Sequence, residues 1–314
     1  MVNADPMTAL TNSTVIAVIV TYHPTEVTAR LLGTLAQQCA RVLVVDNGSA
    51  ATELAQLRTA AQELDTASDI EFLELAENTG IAHAQNVGIQ RAIELGATHV
   101  LLSDQDSAPA PDMVAQLLPS VADPQVGAAG PYIAENKPGG DELVYVSRKW
   151  GPRRASSTEL ATPEVTAAFL LASGCLIPVP VLQIVGLMNE GYFIDHVDLE
   201  WGLRARRAGY RLVVNTRAIL HHSLGDSTVH LPGRPQPVHV HSPIRCYYLA
   251  RNTIHLIRSG LLSRNWALGY VLWLGKYVAF NALLADQRSA RSKYLVQGIA
   301  DGVRGRFGPV GQAN

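Results

Sequence analysis

The chain has 314 residues, 47% of them apolar and 17% charged, which is a globular composition and excludes a disordered chain. The formal net charge of −2 hides an asymmetry: residues 1–243 hold 15 Lys/Arg and 25 Asp/Glu, whereas residues 244–314 hold 10 and 2. The acidic body argues against nucleic acid as a partner, and the cationic tail suits an anionic surface such as lipid headgroups.

Residues 1–14 are mostly polar or small and read as a flexible N-terminus. The apolar run 15–20 is too short for a secretory h-region, so no signal peptide is expected. It is β-branched and continuous, as in a parallel strand buried on both faces. Pro24 then suits a helix start, and residues 25–38 carry Val27, Leu31, Leu32 and Leu35 at helical spacing. The unit repeats: strand 41–46, helix 51–64, strand 70–75, helix 81–95, strand 98–103, helix 112–118. Alternation at this rhythm predicts a doubly wound α/β sheet with right-handed crossovers. Residues 134–165, rich in Pro, Gly and charge, read as a loop or mobile flap, and 226–243, with four prolines, as a long flexible connection. From 244 onward the pattern is helical. Residues 266–285 are largely apolar but are broken by Lys276 and Asn281. With Arg258, Arg264, Arg288, Arg291 and Lys293 around it, an interfacial amphipathic segment fits better than a span; packing on the catalytic body or in a homodimer is the alternative. Cys39, Cys175 and Cys246 form no CxxC pair, so neither a zinc site nor a disulfide framework is expected, and a reducing cytosol is the default.

Ligands of such sheets sit at the carboxyl ends of the strands, and three polar signals fall there: Thr21-Tyr22, Asp46-Asn47-Gly48-Ser49 and Asp104-Gln105-Asp106. Two carboxylates after an apolar strand suit Mg²⁺ or Mn²⁺ and, through it, a diphosphate. Asp46 can accept a hydrogen bond from the N3–H of uracil or thymine, although in isolation an ordinary Asp-Asn-Gly turn is the better explanation. In the segment 78–88, Gly80 permits close approach, Ala82, Ala84 and Gly88 keep one helix face thin, and Asn86 could reach a diphosphate or ribose. His221-His222 ends an apolar run, where an imidazole could complete a metal site. Phe193-Ile-Asp-His-Val-Asp-Leu-Glu-Trp201 places Asp195, Asp198 and Glu200 within six positions, at the start of an amphipathic helix. An acid there is oriented by unpaired N–H groups and suits a general base; a plain N-cap is the competing use.

As an ordered set these motifs resemble an inverting GT-A glycosyltransferase of family 2, and more narrowly the bacterial rhamnosyltransferase branch. The resemblance runs from about Val15 to Asn252; its narrower part rests on Phe193–Trp201 and on Ser242-Pro-Ile-Arg-Cys-Tyr-Tyr, followed by Arg251-Asn252. It implies a Rossmann-like GT-A catalytic domain over 15–242, with a nucleotide-sugar half near 15–133 and an acceptor half near 165–225, and a basic helical extension over 243–314. Thr21, Tyr22 and Asp46 would hold the nucleobase, Asn47 would belong to the same nucleotide-sugar site, and Asn78, Gly80 and Asn86 would lie near the ribose and diphosphate. Asp104 and Asp106 match the metal-binding DxD element, Asp106 as the direct ligand, with His222 or its neighbour His221 as a further ligand. Matching backward from Arg204 puts the base at Asp198 and a further acid at Glu200. Relatives carry Glu where this chain has Val197, which leaves Asp195 as the rival base. Ser173-Gly174-Cys175 resembles the segment before the acceptor site.

The implied reaction moves a sugar, L-rhamnose from dTDP-L-rhamnose, onto a hydroxyl of a bacterial glycan or glycolipid, by one metal-assisted displacement at the cytoplasmic face of the membrane. A UDP-sugar donor, a nucleotidyltransferase and a non-catalytic nucleotide-binding protein are the rival readings. No GxGxxG follows the first strand, which argues against an NAD-dependent enzyme.

Overall fold

The computed structural model describes residues 13–66, 69–135, 143–222, 227–229 and 238–311. Its first half alternates as the apolar runs dictate: β1 (Val15–Thr21), α1 (Glu26–Ala36), β2 (Arg41–Asp46), α2 (Ala51–Gln62), β3 (Ile70–Glu74), α3 (Ile81–Glu94) and β4 (His99–Asp104). These strands lie parallel in the order β3-β2-β1-β4. The register places Thr21 beside Asp46 and Val20 beside Asp104, so three carboxyl ends meet along one edge.

Past β4 come β5 (Ala108–Pro109), α4 (Met113–Leu117), a 3-10 turn (Leu118–Ala122) and β6 (Val126–Glu135). The expected irregular stretch instead contains a hairpin, β7 (Tyr145–Arg148) and β8 (Gly151–Arg154), then α5 (Ser157–Leu160) and β9 (Glu164–Thr166). Alternation of Val144 and Val146 into the core supplies the reason; residues 136–142 lie outside the described residues. There follow β10 (Cys175–Pro178), α6 (Val179–Val185), α7 (Val197–Arg207) and β11 (Arg211–His222). Strand β10 inserts between β4 and β6, antiparallel to both, and β11 runs parallel to β6. The sheet is thus parallel in its N-terminal half and mixed beyond it, in the order β3-β2-β1-β4-β10-β6-β11-β5. Within the proline-rich connection, the described backbone forms a ladder of β12 (Ser227–Val229) with β13 (Val238–Val240); the rest of 223–237 lies outside the described residues, as do residues 1–12 of the expected flexible N-terminus.

Because successive strand residues are buried on opposite faces, the sheet carries two cores. Val18, Val45, Ile89, Val100, Ile177 and Trp201 belong to one, and Ile19, Leu32, Val44, Leu101, Leu176 and Leu220 to the other. The thin face of α3 serves this packing: a Cβ at Gly88 would come within 2.3 Å of Val18 Cγ1.

The chain closes with α8 (Pro243–Arg258), α9 (Arg264–Leu283) and α10 (Arg288–Arg304). Helix α9 joins the body through Trp266, which packs with Ala168, Leu199, Leu203 and Leu256. Its opposite side exposes Leu268, Val271 and Leu272, each about half accessible. No helix among the described residues is long and apolar enough to cross a membrane.

Candidate active site

The end of β1 is tied to both neighbouring strands. Thr21 Oγ1 donates to Asp46 Oδ1 (3.0 Å), as does Ser49 Oγ (2.6 Å), while the Ser49 N–H donates to Oδ2 (2.9 Å). The buried Asp46 keeps acceptor capacity on Oδ2 for one further donor. Tyr22 is 43% exposed, and its backbone N–H and C=O are both held by the Gln105 side-chain amide (2.9 and 3.0 Å). Gln105, the middle residue of Asp104-Gln105-Asp106, therefore locks the β1 and β4 ends together, a role its spacing alone did not reveal.

Asn47 and Asn78 are loop-builders. Asn47 Oδ1 accepts from Thr79 N–H (2.9 Å), its Nδ2 donates to Asn78 Oδ1 (3.2 Å), and that oxygen also accepts from Gly80 N–H (3.0 Å). Gly80 sits at φ 90°, and an added Cβ would stand 2.6 Å from the Phe193 ring and 2.7 Å from its carbonyl oxygen. Its freedom thus admits the loop that leads to Asp198. Asn86 is a strut between α3 and that same region: Nδ2 donates to Met188 O (2.9 Å) and Glu190 Oε1 (2.8 Å), and Oδ1 accepts from Met188 N–H (2.9 Å). Those contacts, with near-complete burial, spend the amide that the sequence offered to ribose or diphosphate.

Asp104 ends β4, where Ser173 Oγ donates to its Oδ2. Asp106 is exposed two residues on. Strand β5 then pairs Ala108 with His221, so the backbone of the His221-His222 segment lies beside the Asp104–Asp106 turn. The His222 side chain lies outside the described residues.

Asp198 occupies the first turn of α7. Its Oδ1 accepts from the Leu199 N–H (2.7 Å). The carboxyl lines a narrow cavity of about 20 Å³ walled by Gln85, Leu102, Cys175, Ile177, Met188 and Trp201. Burial in this apolar lining pushes its pKa up to about 7; the negative charges of Asp104 and Asp195 add to the rise, and the Leu199 N–H opposes it. Asp104 is thus near enough for its charge to act on Asp198, and a carboxylate whose proton affinity matches neutral pH suits general-base work. The same burial holds the Cys175 thiol protonated, at about 12.

The other two acids are engaged elsewhere. Asp195 gives both oxygens to Arg245, to Nε at 3.2 Å and also to Nη2. Glu200 is buried and receives Arg204 Nε on both oxygens (2.9 and 3.0 Å), while the Arg204 Nη atoms reach Val185 O and Leu187 O at 2.7 Å. Glu200 therefore anchors the segment before α7 rather than facing the cleft, against the expectation of a catalytic acid. Its i,i+4 spacing to Arg204 was a readable sign of that pairing.

The profile described as "Glycosyltransferase like family 2" matches residues 12–234, most of the chain. The chain belongs to glycosyltransferase family 2. The family 2 chain is 31% identical, over 95% of its own length and 98% of the other's, to the dTDP-rhamnosyl transferase RfbF of Shigella flexneri. It superposes on GalNAc-T7, solved with UDP, GalNAc and Mn²⁺, with a TM-score of 0.59 at 14% identity, over 91% of this chain and 55% of that longer protein, just over half its length. Against S. aureus TarS 1–349 in complex with UDP-GlcNAc the TM-score is 0.57 at 14% identity, over 93% and 81%. At these identities the two structures show the shared glycosyltransferase fold alone.

The donor set of this glycosyltransferase fits a hard divalent cation. Asp104 and Asp106 offer carboxylate oxygens at alternate positions of an accessible turn, without a soft ligand between them. Among the described residues no three or more His, Cys, Asp or Glu side chains cluster as a metal cage. Water and phosphate oxygens, the usual complement of Mg²⁺, would complete the shell.

Proposed function

We propose that this glycosyltransferase moves L-rhamnose from dTDP-L-rhamnose onto a hydroxyl of a lipid-linked bacterial glycan, with inversion at the anomeric carbon. The observation that carries the reading is Asp198, a carboxyl in an apolar lining whose proton affinity is raised by burial and, to a lesser degree, by the charge of Asp104. The rhamnosyl donor is supported by the 31% identity to a dTDP-rhamnosyl transferase across nearly the whole chain.

Asp46 accepts the thymine N3–H on Oδ2, beside the exposed Tyr22, while Thr21 and Ser49 hold that carboxylate still. Asn47, Asn78 and Gly80 shape the loop next to the ribose. Asp104 and Asp106, with His222 as the further candidate, would hold a Mg²⁺ or Mn²⁺ ion, which would supply positive charge beside the diphosphate. The acceptor oxygen attacks the anomeric carbon and gives its proton to Asp198, whose Oδ1 is pinned by Leu199 so that Oδ2 receives it. As the new C–O bond forms, the bond to the nucleoside diphosphate breaks, and dTDP leaves.

The acceptor side is argued from α9. Its aliphatic face is exposed at Leu268, Val271, Leu272 and Leu283 and is bordered by Arg264, Lys276 and Arg288. Such a face suits the cytoplasmic surface of an anionic membrane, where a lipid-linked glycan is presented; a homodimer through α9 is the other use of the same surface. Incubation with dTDP-L-rhamnose and a panel of UDP-sugars, each with and without Mn²⁺, tests the donor by nucleotide release. Metal-dependent release from dTDP-L-rhamnose is expected. Turnover of a UDP-sugar alone would remove rhamnose from the reading.

A further inference from the structure

We infer that Arg251 and Asn252 of α8 are positioning residues: they clamp the backbone of residues 191–196 and thereby fix where α7 begins and where Asp198 stands. The inference rests on the reading of Asp198 as the base. Phe193, Asp195 and His196 lie at φ 63°, 67° and 64°, three of the five non-glycine residues with positive φ among those described. Side chains disfavour that region, so a loop with three such residues in four positions needs support from outside its own sequence.

Three consecutive residues of α8 supply the support. Arg251 Nη2 donates to Gly191 O (3.1 Å) and Tyr192 O (3.0 Å). Asn252 Nδ2 meets Tyr192 O (2.9 Å), Ile194 O (2.8 Å) and Asp195 O (2.9 Å). Thr253 Oγ1 pairs with His196 Nε2 at 2.9 Å. All three residues are fully buried. Arg251 Nε donates to Asn252 Oδ1 (2.9 Å), which orients the amide, and the guanidinium lies against both the Tyr247 and the Tyr248 ring, at 5.3 and 5.2 Å. From the other side, the Ile81 N–H donates to Phe193 O (2.7 Å), and the Phe193 ring stacks on Tyr248 at 5.1 Å. The Tyr192 carbonyl is also met within the loop by the Ile194 N–H (2.7 Å), and Gly191 O by the Gly308 N–H (3.1 Å), whereas the carbonyls of Ile194 and Asp195 take the donor that Asn252 brings from α8. The C-terminal helices are thereby part of the machinery that places the base, and a displacement of the base by about 1 Å costs on the order of 10²-fold in rate.

The test compares Asn252→Ala and Asn252→Ser with Leu256→Ala, a buried α8 residue that packs on Leu199 and Trp266 and touches none of these carbonyls. Three readouts are taken on the full chain: kcat for rhamnosyl transfer, dTDP affinity by calorimetry, and hydrogen exchange of peptides covering 191–199. For Asn252→Ala the expected result is a kcat lower by about 10²-fold, dTDP affinity within about 2-fold, and faster exchange confined to 191–199. Asn252→Ser, which keeps one donor, should recover part of the rate. Wild-type exchange at 191–199 in Asn252→Ala, or an equal loss of kcat in Leu256→Ala at matched Tm, would overturn the inference. Wild-type enzyme that binds dTDP yet transfers no sugar would instead sink the reading beneath it, and the exchange result would still stand.

Discussion

Arg245 holds both carboxylate oxygens of Asp195, whereas Asp198, three residues on, meets the Leu199 N–H. The two acids are close in sequence but chemically unequal. A carboxylate gripped by a guanidinium has its lone pairs engaged, and drawing it to a substrate proton means breaking a charge-assisted pair. Asp198 lacks such a clamp and sits in an apolar lining that favours proton uptake.

Asp198→Asn should therefore keep dTDP binding and lower kcat by at least about 10²-fold, the range of lost general-base catalysis. Asp195→Asn should lose its Arg245 partner and melt earlier, with kcat of the folded fraction within about 10-fold of wild type. Turnover near wild type in Asp198→Asn together with an inactive Asp195→Asn would move the base to Asp195.

The pH behaviour follows from the same carboxyl. As the proposed base Asp198 would act only when ionised, so kcat/KM of the free enzyme should fall about tenfold per unit below about pH 7 and level off above it. Stability has the opposite sign. A carboxyl whose folded pKa exceeds its unfolded value favours the fold below the unfolded pKa, and that contribution is lost as pH rises through the folded value. In metal-free buffer at about pH 8, Asp198→Asn should thus raise Tm, by a gain of at most about 4 kcal/mol. A Tm difference that stays flat between about pH 5 and 8 would contradict the burial of an ionised Asp198.

Glu200 offers a contrasting test. Its removal leaves Arg204 without a counter-charge beside the 185–187 carbonyls, where the guanidinium otherwise bridges two elements. Glu200→Gln should cost about 1–3 kcal/mol in denaturant unfolding, with the kcat of the folded protein retained within a few-fold. A kcat loss as large as that of Asp198→Asn, without a stability change, would restore Glu200 to the reacting centre.

What the sequence disclosed and what it hid differ in range. The parallel strands were legible because Val15–Thr21, Arg41–Asp46 and His99–Asp104 are apolar runs closed by a polar residue, and those polar ends form the edge of the candidate site. The antiparallel insertion of β10 was not, since Cys175–Pro178 is too short to declare its neighbours. Asp195 and Arg245 are 50 positions apart, and Asn252 reaches carbonyls some 60 positions back; no local periodicity carries pairings of that span. Likewise Asn86 looked available because its partners, Met188 and Glu190, are backbone and side chain from a distant loop.

The surface of α9 makes the last prediction. Leu268, Val271 and Leu272 stand on the side away from Trp266, with exposures of 49%, 51% and 57%, more aliphatic surface than one helix face ordinarily leaves in water. The cationic side chains Arg264, Lys276 and Arg288 border it, so attraction to anionic lipid and burial of leucine act together. Sedimentation with vesicles containing about 30% anionic lipid should capture the protein, weaken as salt rises through about 0.5 M, and fail for Leu272→Glu. Because Leu272 lies on the outer side, that variant should keep its Tm and its nucleotide release from soluble donor. Wild-type vesicle binding by Leu272→Glu, with self-association lost instead, would reassign the face to a second copy of the chain.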